Sequence, residues 1–180
     1  MLEYTIFRSK LGWMGIIGQR GTLVHLTFGH ATARSAHTAL PAELLRAARR
    51  RDWNPPLVAR LRAYAAGTPD DFADVPVASG PATPFRRRVL DACRKIAYGQ
   101  TCTYGQLAAR AGSPRAARAV GNCMSSNQIP LVIPCHRVVP SGGKLGSYSA
   151  PAGTAMKRHL LALEAHDATF FAPPAPGFAG

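Results

Sequence analysis

Thr103-Tyr104-Gly105-Gln106-Leu107-Ala108 opens a stretch that passes through Gly112-Ser113-Pro114 into Ala116-Ala117-Arg118-Ala119-Val120-Gly121. Thr103 to Ala111 reads as a short helix ended by Gly112. Ser113-Pro114 then opens a second helix that runs to about Met124. Two short helices joined by Gly112-Ser113 have the form of a helix-turn-helix. On the second helix Ala116, Ala119, Val120 and Cys123 recur at i, i+3, i+4 and i+7 and should face inward, while Arg115, Arg118 and Asn122 form a polar face. Ala117 and Gly121 lie between the two faces and are very small. Long basic side chains beside nearly bare backbone suit close approach to a nucleic acid. The helix has few of the large polar side chains that read bases, which points away from sequence-specific recognition. Taken alone, the pair fits an ordinary helical hairpin with a basic outer face about as well.

Toward the C-terminus, the apolar run from Ile129 to Ile133 ends in Ile133-Pro134-Cys135-His136-Arg137-Val138. A thiol reacts as the thiolate, and an ordinary cysteine (pKa ~8.5) is mostly protonated at neutral pH. An adjacent imidazole and cationic neighbours raise the thiolate fraction. Pro134 stiffens the approach and removes one backbone donor. In isolation a Cys-His pair reads first as a small buried cysteine at a strand end, since neighbours in sequence need not face each other. The rest of the chain shifts that reading.

The 180 residues suffice for one domain or two small ones, and the hydrophobic fraction of 47% allows a packed core. No apolar run approaches the length of a membrane span, and the N-terminus lacks the pattern of a signal peptide. The four cysteines, Cys93, Cys102, Cys123 and Cys135, show no CxxC spacing. This argues against a zinc finger or a disulfide framework and for a reducing compartment, the cytoplasm. The net charge is +13, and residues 84–166 carry twelve Lys/Arg against two acids, a balance of +10. A basic half of this kind points to a polyanion, most simply nucleic acid. Arg46, Arg49, Arg50 and Arg51 read as a solvated surface, and the Arg86-Arg87-Arg88 run is ambiguous.

The first thirty residues read as a small antiparallel sheet, with strands near Tyr4–Phe7, Trp13–Ile17 and Leu23–Phe28. Pro41 to Arg51 and Pro56 to Ala66 read as helices. The stretch 67–83 is rich in Gly, Pro, Asp and Ser and reads as a linker. Thr83-Pro84 supplies an N-cap and a first-turn proline for a helix carrying Phe85, Val89, Cys93 and Ile96, with Gly99 as its stop. A last helix covers Thr154 to Ala165. The expected organisation is an N-terminal lobe over 1–66, the linker 67–83, a C-terminal domain over 84–166 and a flexible, Pro/Ala/Gly-rich tail over 167–180.

With the helix pair and the Pro-Cys-His-Arg motif both in view, the chain resembles the O6-alkylguanine-DNA alkyltransferases, or methylated-DNA–protein-cysteine methyltransferases. The matching residues are Thr103 to Ala108, Ala116 to Gly121, Asn127, Ile133 to Val139, Gly146-Ser147-Tyr148-Ser149, and Lys157 to Glu164. They cover about residues 84–165 in the family's order and spacing. The combination is highly specific, whereas each piece alone is weak. The first eighty residues fit only in outline.

The resemblance implies an α/β N-terminal lobe of ribonuclease-H-like form, with a small antiparallel sheet plus helices, and a mainly α, winged-helix-like DNA-binding domain. It implies transfer of an alkyl group from guanine O6 (with O4-alkylthymine as a second substrate) to Cys135, once per molecule, as a single-turnover suicide DNA repair enzyme. His136 would remove the thiol proton through a water, Glu164 would orient the imidazole, and Asn127 would brace the cysteine loop. Glu164 follows Leu160 by four residues and so leans toward the packed face of its helix, where a carboxylate wants a partner. The target base must leave the duplex, so the resemblance implies base flipping from the minor groove. Arg118 would fill the vacated stack and Tyr104 would turn the nucleotide. Arg115, Ala116, Ala117 and Gly121 would complete the DNA-binding surface. Met124 and Pro130 would line the pocket, while the Val138 carbonyl and Tyr148-Ser149 would read the guanine edge. The implied partner is double-stranded DNA, bound without sequence preference by a monomer. No cofactor, no metal and no membrane contact are implied.

One departure stands out. Ala150-Pro151 occupies a place where the family often has Gly-Gly, with a slightly longer loop to the last helix. The N-terminal lobe has no cysteine for the zinc site some relatives carry, and His25 and His30 read as strand and loop histidines. Three rivals remain at this stage: a non-catalytic lesion binder, which would lack Cys135; a DNA-binding regulator, which would not need the Pro-Cys-His-Arg motif; and a cysteine hydrolase, for which no oxyanion-hole signature exists.

Overall fold

The computed structural model describes residues 1–78 and 80–165. The tail expected over 167–180 lies outside the described residues. The chain divides into two compact units, the first of residues 1–78.

In the first unit, β1 (Leu2–Ser9), β2 (Gly12–Gln19) and β3 (Thr22–His30) are followed by α1 (Ala33–Thr38), α2 (Ala42–Ala47), β4 (Ala48–Arg50) and α3 (Pro55–Ala65). The sheet order is β3-β2-β1-β4. β1 and β3 flank β2 in antiparallel register, with Thr5 opposite Ile16 and Ile16 opposite Leu26. β4 joins parallel to β1, so the sheet is mixed and the purely antiparallel expectation is corrected. The cause lies in the stretch 41–51. Its helix stops at Ala47, and residues 48–50 turn extended to pair with Leu2–Tyr4, leaving Arg49 and Arg50 exposed on the edge.

β2 is central and buried from Met14 to Gly18, without the alternation of a half-exposed strand. Gly15 lies under Leu40, and Gly18 lies flat against the Trp53 ring; a Cβ at Gly18 would fall 1.9 Å from that ring. α1 was not legible as a helix because its six residues lack an apolar period; a capping box between Thr32 and Ser35 starts it. α3 begins one residue earlier than expected because the Asn54 side chain caps the Leu57 N–H. His25 and His30 both lie on β3, and His30 bonds Thr27 through Nε2 at 2.6 Å.

The expected linker is tied down over its first part. Phe72 and Val75 are buried, Arg60 grips Asp70 and Asp74 at 2.8 Å, and Leu23 exchanges backbone hydrogen bonds with Pro76 and Ala78. A Gly/Pro/Asp-rich composition marks the absence of regular structure, not the absence of packing.

The second unit contains α4 (Pro84–Arg94), β5 (Cys102–Thr103), α5 (Tyr104–Arg110), α6 (Ala117–Ser125), a 3-10 turn (Cys135–Arg137), β6 (Val138–Val139) and α7 (Thr154–Glu164). α4 starts as read, with the Thr83 hydroxyl capping Arg86 and Pro84 in the first turn, but it closes at Arg94, well before Gly99. In α5, Thr103 and Gln106 form a reciprocal capping box. Gly112, at φ +77, ends the helix; Ser113 and Gly112 donate to the Ala108 and Ala109 carbonyls, the pairing of a Schellman motif.

Ser113-Pro114 opens a turn closed by Ala116 N–H to the Ser113 carbonyl, so α6 begins at Ala117, later than its proline suggested. Val120, Cys123 and Met124 face the core, while Arg115, Arg118 and Asn122 are exposed. The apolar run 129–133 is a buried turn with Leu131 at φ +71, where a strand end was an open reading. It delivers Cys135 to the 3-10 turn, and a two-residue parallel pairing, Cys102 with Val138 and Thr103 with Val139, links that turn to the start of α5.

Candidate active site

All four cysteines are free thiols and all are buried. Only Cys135 is gripped by a polar side chain. Asn127, just past the end of α6, donates through Nδ2 to the Ile133 carbonyl at 2.8 Å and to the Cys135 sulfur at 3.1 Å. Its Oδ1 accepts from the Ile129 N–H at 3.1 Å. One amide therefore fixes both ends of the buried turn and points a donor at the thiol.

Burial pushes the Cys135 thiol up, while hydrogen bonds from Asn127 and Tyr148 and the Lys157 charge work in the opposite direction. The net shift is upward, so the resting sulfur is a thiol and needs a base to become a nucleophile.

An imidazole sits next in sequence. His136 is fully buried, and its Nε2 meets Glu164 Oε1 at 2.8 Å. An ionised carboxylate only accepts, so Nε2 carries the proton and Nδ1 carries the lone pair when the ring is neutral. Burial lowers the His136 pKa, against the hydrogen bond and charge of Glu164, which raise it. Burial also works against ionisation of Glu164, but the hydrogen bonds and charges of His136 and Arg137 outweigh it and hold the carboxyl well below its ordinary range. The expected partnership of His136 and Glu164 is thus present in the geometry: Glu164, in the last turn of α7, is buried and aimed inward, not a surface acid.

Two residues at the site were missed as individuals by sequence reasoning. Arg137 is buried and clamps Glu164 with two hydrogen bonds, at 2.8 and 3.0 Å. Lys157, on α7, is buried; its Nζ donates to the Val138 carbonyl at 2.7 Å and lies 5.8 Å from the centre of the Tyr104 ring. Burial pulls the Lys157 ammonium down to about 8. Its position gave a signal, since Lys157, Leu160, Leu161 and Glu164 recur at i, i+3, i+4 and i+7. A lysine on an apolar face reads by default as one that snorkels to water.

The other expected site residues fall as follows. Tyr104 is the first residue of α5, and its ring lies beside Gly121 of α6. Ala116, Ala117 and Gly121 are half-buried, between the exposed Arg115 and Arg118. Met124 is buried and Pro130 half-buried. Tyr148 is half-buried, whereas Ser149 is exposed. Val138 is buried, and its carbonyl already carries the Lys157 ammonium; a carbonyl has two lone pairs, so one acceptor site is left. The Ala150-Pro151 loop closes in a turn with Gly153 N–H on the Ala150 carbonyl at 2.8 Å, and Thr154 Oγ1 ties it to the Gly146 carbonyl at 3.2 Å. Among the described residues, no helix is long and apolar enough to cross a membrane.

A buried thiol held by an amide, beside a histidine–carboxylate pair and two short helices with basic outer residues, defines a DNA-binding protein with a nucleophilic cysteine. The domain model for "6-O-methylguanine DNA methyltransferase, DNA binding domain" matches residues 84–166. The methylated-DNA–protein-cysteine methyltransferase of Mycolicibacterium paratuberculosis is 36% identical over 167 residues, 91% of this chain and 93% of that protein. The Mus musculus protein of the same name is 54% identical over 81 residues, 44% of this chain and 38% of its own. Among solved structures, Mycobacterium tuberculosis OGT in complex with DNA aligns with a TM-score of 0.71 at 32% identity, over 90% of this chain and 92% of that one. The O6-methylguanine-DNA methyltransferase of Pyrococcus kodakaraensis aligns at 0.66 and 25% identity, over 91% and 99%. The chain belongs to the methylated-DNA–protein-cysteine methyltransferase family, the DNA-binding methyltransferases of DNA repair.

Proposed function

We propose that this protein repairs O6-alkylguanine in duplex DNA, with O4-alkylthymine as a second substrate, by moving the alkyl group to its own Cys135. The observation that carries the reading is the Asn127–Cys135 contact at 3.1 Å beside the buried His136–Glu164 pair at 2.8 Å. The sulfur attacks the alkyl carbon, an S–C bond forms, and the C–O6 bond breaks with its electron pair left on guanine. The thiol proton passes through a water to His136 Nδ1, and the imidazolium then gives a proton through water to the guanine anion, which restores neutral histidine and neutral guanine. A thioether is not hydrolysed at neutral pH, so each molecule acts once.

Residues 84–166 are the DNA-binding domain in this reading, of winged-helix-like form, and the preceding α/β lobe is ribonuclease-H-like. α6 enters the minor groove, where Ala116, Ala117 and Gly121 let the backbone approach and Arg115 contacts phosphate. Arg118 takes the place of the extruded nucleotide, and Tyr104 helps to turn it. Met124 and Pro130 line the pocket; the Val138 carbonyl, Tyr148 and Ser149 address the guanine edge. The protein acts as a monomer and binds undamaged DNA through phosphate, without sequence preference.

The test is incubation with a duplex carrying one O6-methylguanine, followed by mass spectrometry. We expect one methyl per protein, on Cys135, with Cys135→Ala inert but still able to bind DNA. Multiple turnovers, or an adduct on Cys102 or Cys123, would sink the assignment.

A further inference from the structure

We propose that Arg137 is the positioning residue that keeps His136 neutral, and hence able to accept the thiol proton, by neutralising Glu164 in advance. The proposal rests on the transfer reading above and concerns the charge state of its base.

A carboxylate paired with one imidazole alone favours the imidazolium, because the two opposite charges cancel. That would leave His136 already protonated and useless as an acceptor. The geometry avoids this. Glu164 Oε1 accepts from both His136 Nε2 and Arg137 Nη2, at 2.8 and 3.0 Å, while Oε2 accepts from Arg137 Nε at 2.8 Å and Gly99 N–H at 3.2 Å. The guanidinium cannot lose its proton and binds the carboxylate edge-on with two donors. It is itself held in place, with Nη1 on the Ile96 carbonyl at 2.6 Å and its plane 5.7 Å from the centre of the Tyr98 ring.

Arg137 and Glu164 therefore cancel before His136 is counted. A second positive charge on His136 would have to share the Glu164 carboxylate with Arg137, in a site where all three residues are at most 1% exposed. Among the described residues, the ionisable neighbours act in these directions. From α7, Glu164 favours the imidazolium and Lys157 opposes it. From the 3-10 turn, Arg137 opposes it, and Cys135 favours it only once it is a thiolate. Cys93 of α4, Tyr98 beyond α4 and Tyr104 of α5 are uncharged at neutral pH, burial raising all three. The imidazolium thus becomes favourable when the thiolate forms, which is when the reaction requires it.

Two measurements decide the matter. In the wild-type protein, the ring nitrogens of His136 followed by 15N NMR should show an imidazole protonated on Nε2 alone that is still neutral at pH 6.5, where an ordinary imidazole is half protonated. A doubly protonated ring at pH 6.5 overturns the proposal, and this arm needs no variant to fold. The second measurement is the pH profile of Cys135 alkylation by a soluble O6-alkylguanine base. With Arg137→Met, the acid limb should move up by about one pH unit or more, as expected when a close cationic neighbour is removed; Arg137→Lys should restore most of that shift. A uniform loss of rate with the limb unmoved assigns Arg137 to structure only and also overturns the proposal. If wild-type Cys135 accepts no alkyl group at any pH, the transfer reading fails, while the NMR result still decides the charge state.

Discussion

Asn127→Ala removes a side chain that touches both ends of the cysteine turn and the sulfur together, and its cost can be built contact by contact. The Ile133 carbonyl keeps the Cys135 N–H at 2.8 Å after the change, so it is not stranded. The Ile129 N–H loses its partner in a buried turn, which costs about 1–3 kcal/mol, and the two lost Nδ2 contacts add roughly 1 kcal/mol together, the sulfur being a weak acceptor. We expect a total of about 2–4 kcal/mol. Both tryptophans, Trp13 and Trp53, lie in the first unit and all four cysteines in the second, so the two unfold under separate probes. Urea unfolding of the second unit is therefore read by exposure of its buried thiols to a chromogenic thiol reagent, and that of the first by fluorescence. The same variant should need a higher pH to react at Cys135, because a donor to the thiolate is gone. Stability within about 0.5 kcal/mol of wild type, or an unchanged pH dependence of thiol alkylation, would refute the bracing role.

Two further outcomes follow from the packing. Glu164 is held well below its ordinary value of 4.5, so its contribution to stability is complete above that pH and is lost as pH falls below it; Glu164→Gln should be less stable at neutral pH and should lack that part of the acid dependence, measured by circular dichroism in urea at a series of pH values. Gly18→Ala forces a methyl into the Trp53 ring and should destabilise the first unit by about 1–3 kcal/mol or more, seen in the tryptophan fluorescence transition with the thiol-exposure transition unmoved; a stable variant would mean that Trp53 has room to rotate away.

Local chemistry was legible wherever the deciding contacts are close in sequence. The cap at Thr83 and the stop at Gly112 follow from residues within one or two turns of each other and stand in the structure, whereas of the expected inward face of α6 only Val120 and Cys123 are buried, joined by Met124, with Ala116 and Ala119 half-buried. The Pro134-Cys135-His136 motif was legible because its residues are contiguous. The limits are equally physical. The parallel addition of β4 to β1 joins residues some 46 positions apart, and no local pattern in Ala48-Arg49-Arg50 announces it. The tethered segment 67–78 looked like a linker because the packing of Phe72 against Tyr64 and Arg60 of α3, and the pairing of Pro76 and Ala78 with Leu23, are not announced by any local pattern in it.

By itself, the sequence determined the family and pointed to the residues proposed to carry the chemistry, since thiol, imidazole, amide and carboxylate are properties of residue type and the spacing of the motifs ties them to one family. Tertiary structure decided their charge states. Whether Cys135 rests as a thiol, whether His136 is a base or an imidazolium, and how Lys157 stays buried depend on which polar groups face one another across 19 to 28 positions of chain and on how much water is excluded between them. Burial and distance set those energies, and neither is a property of any residue read alone.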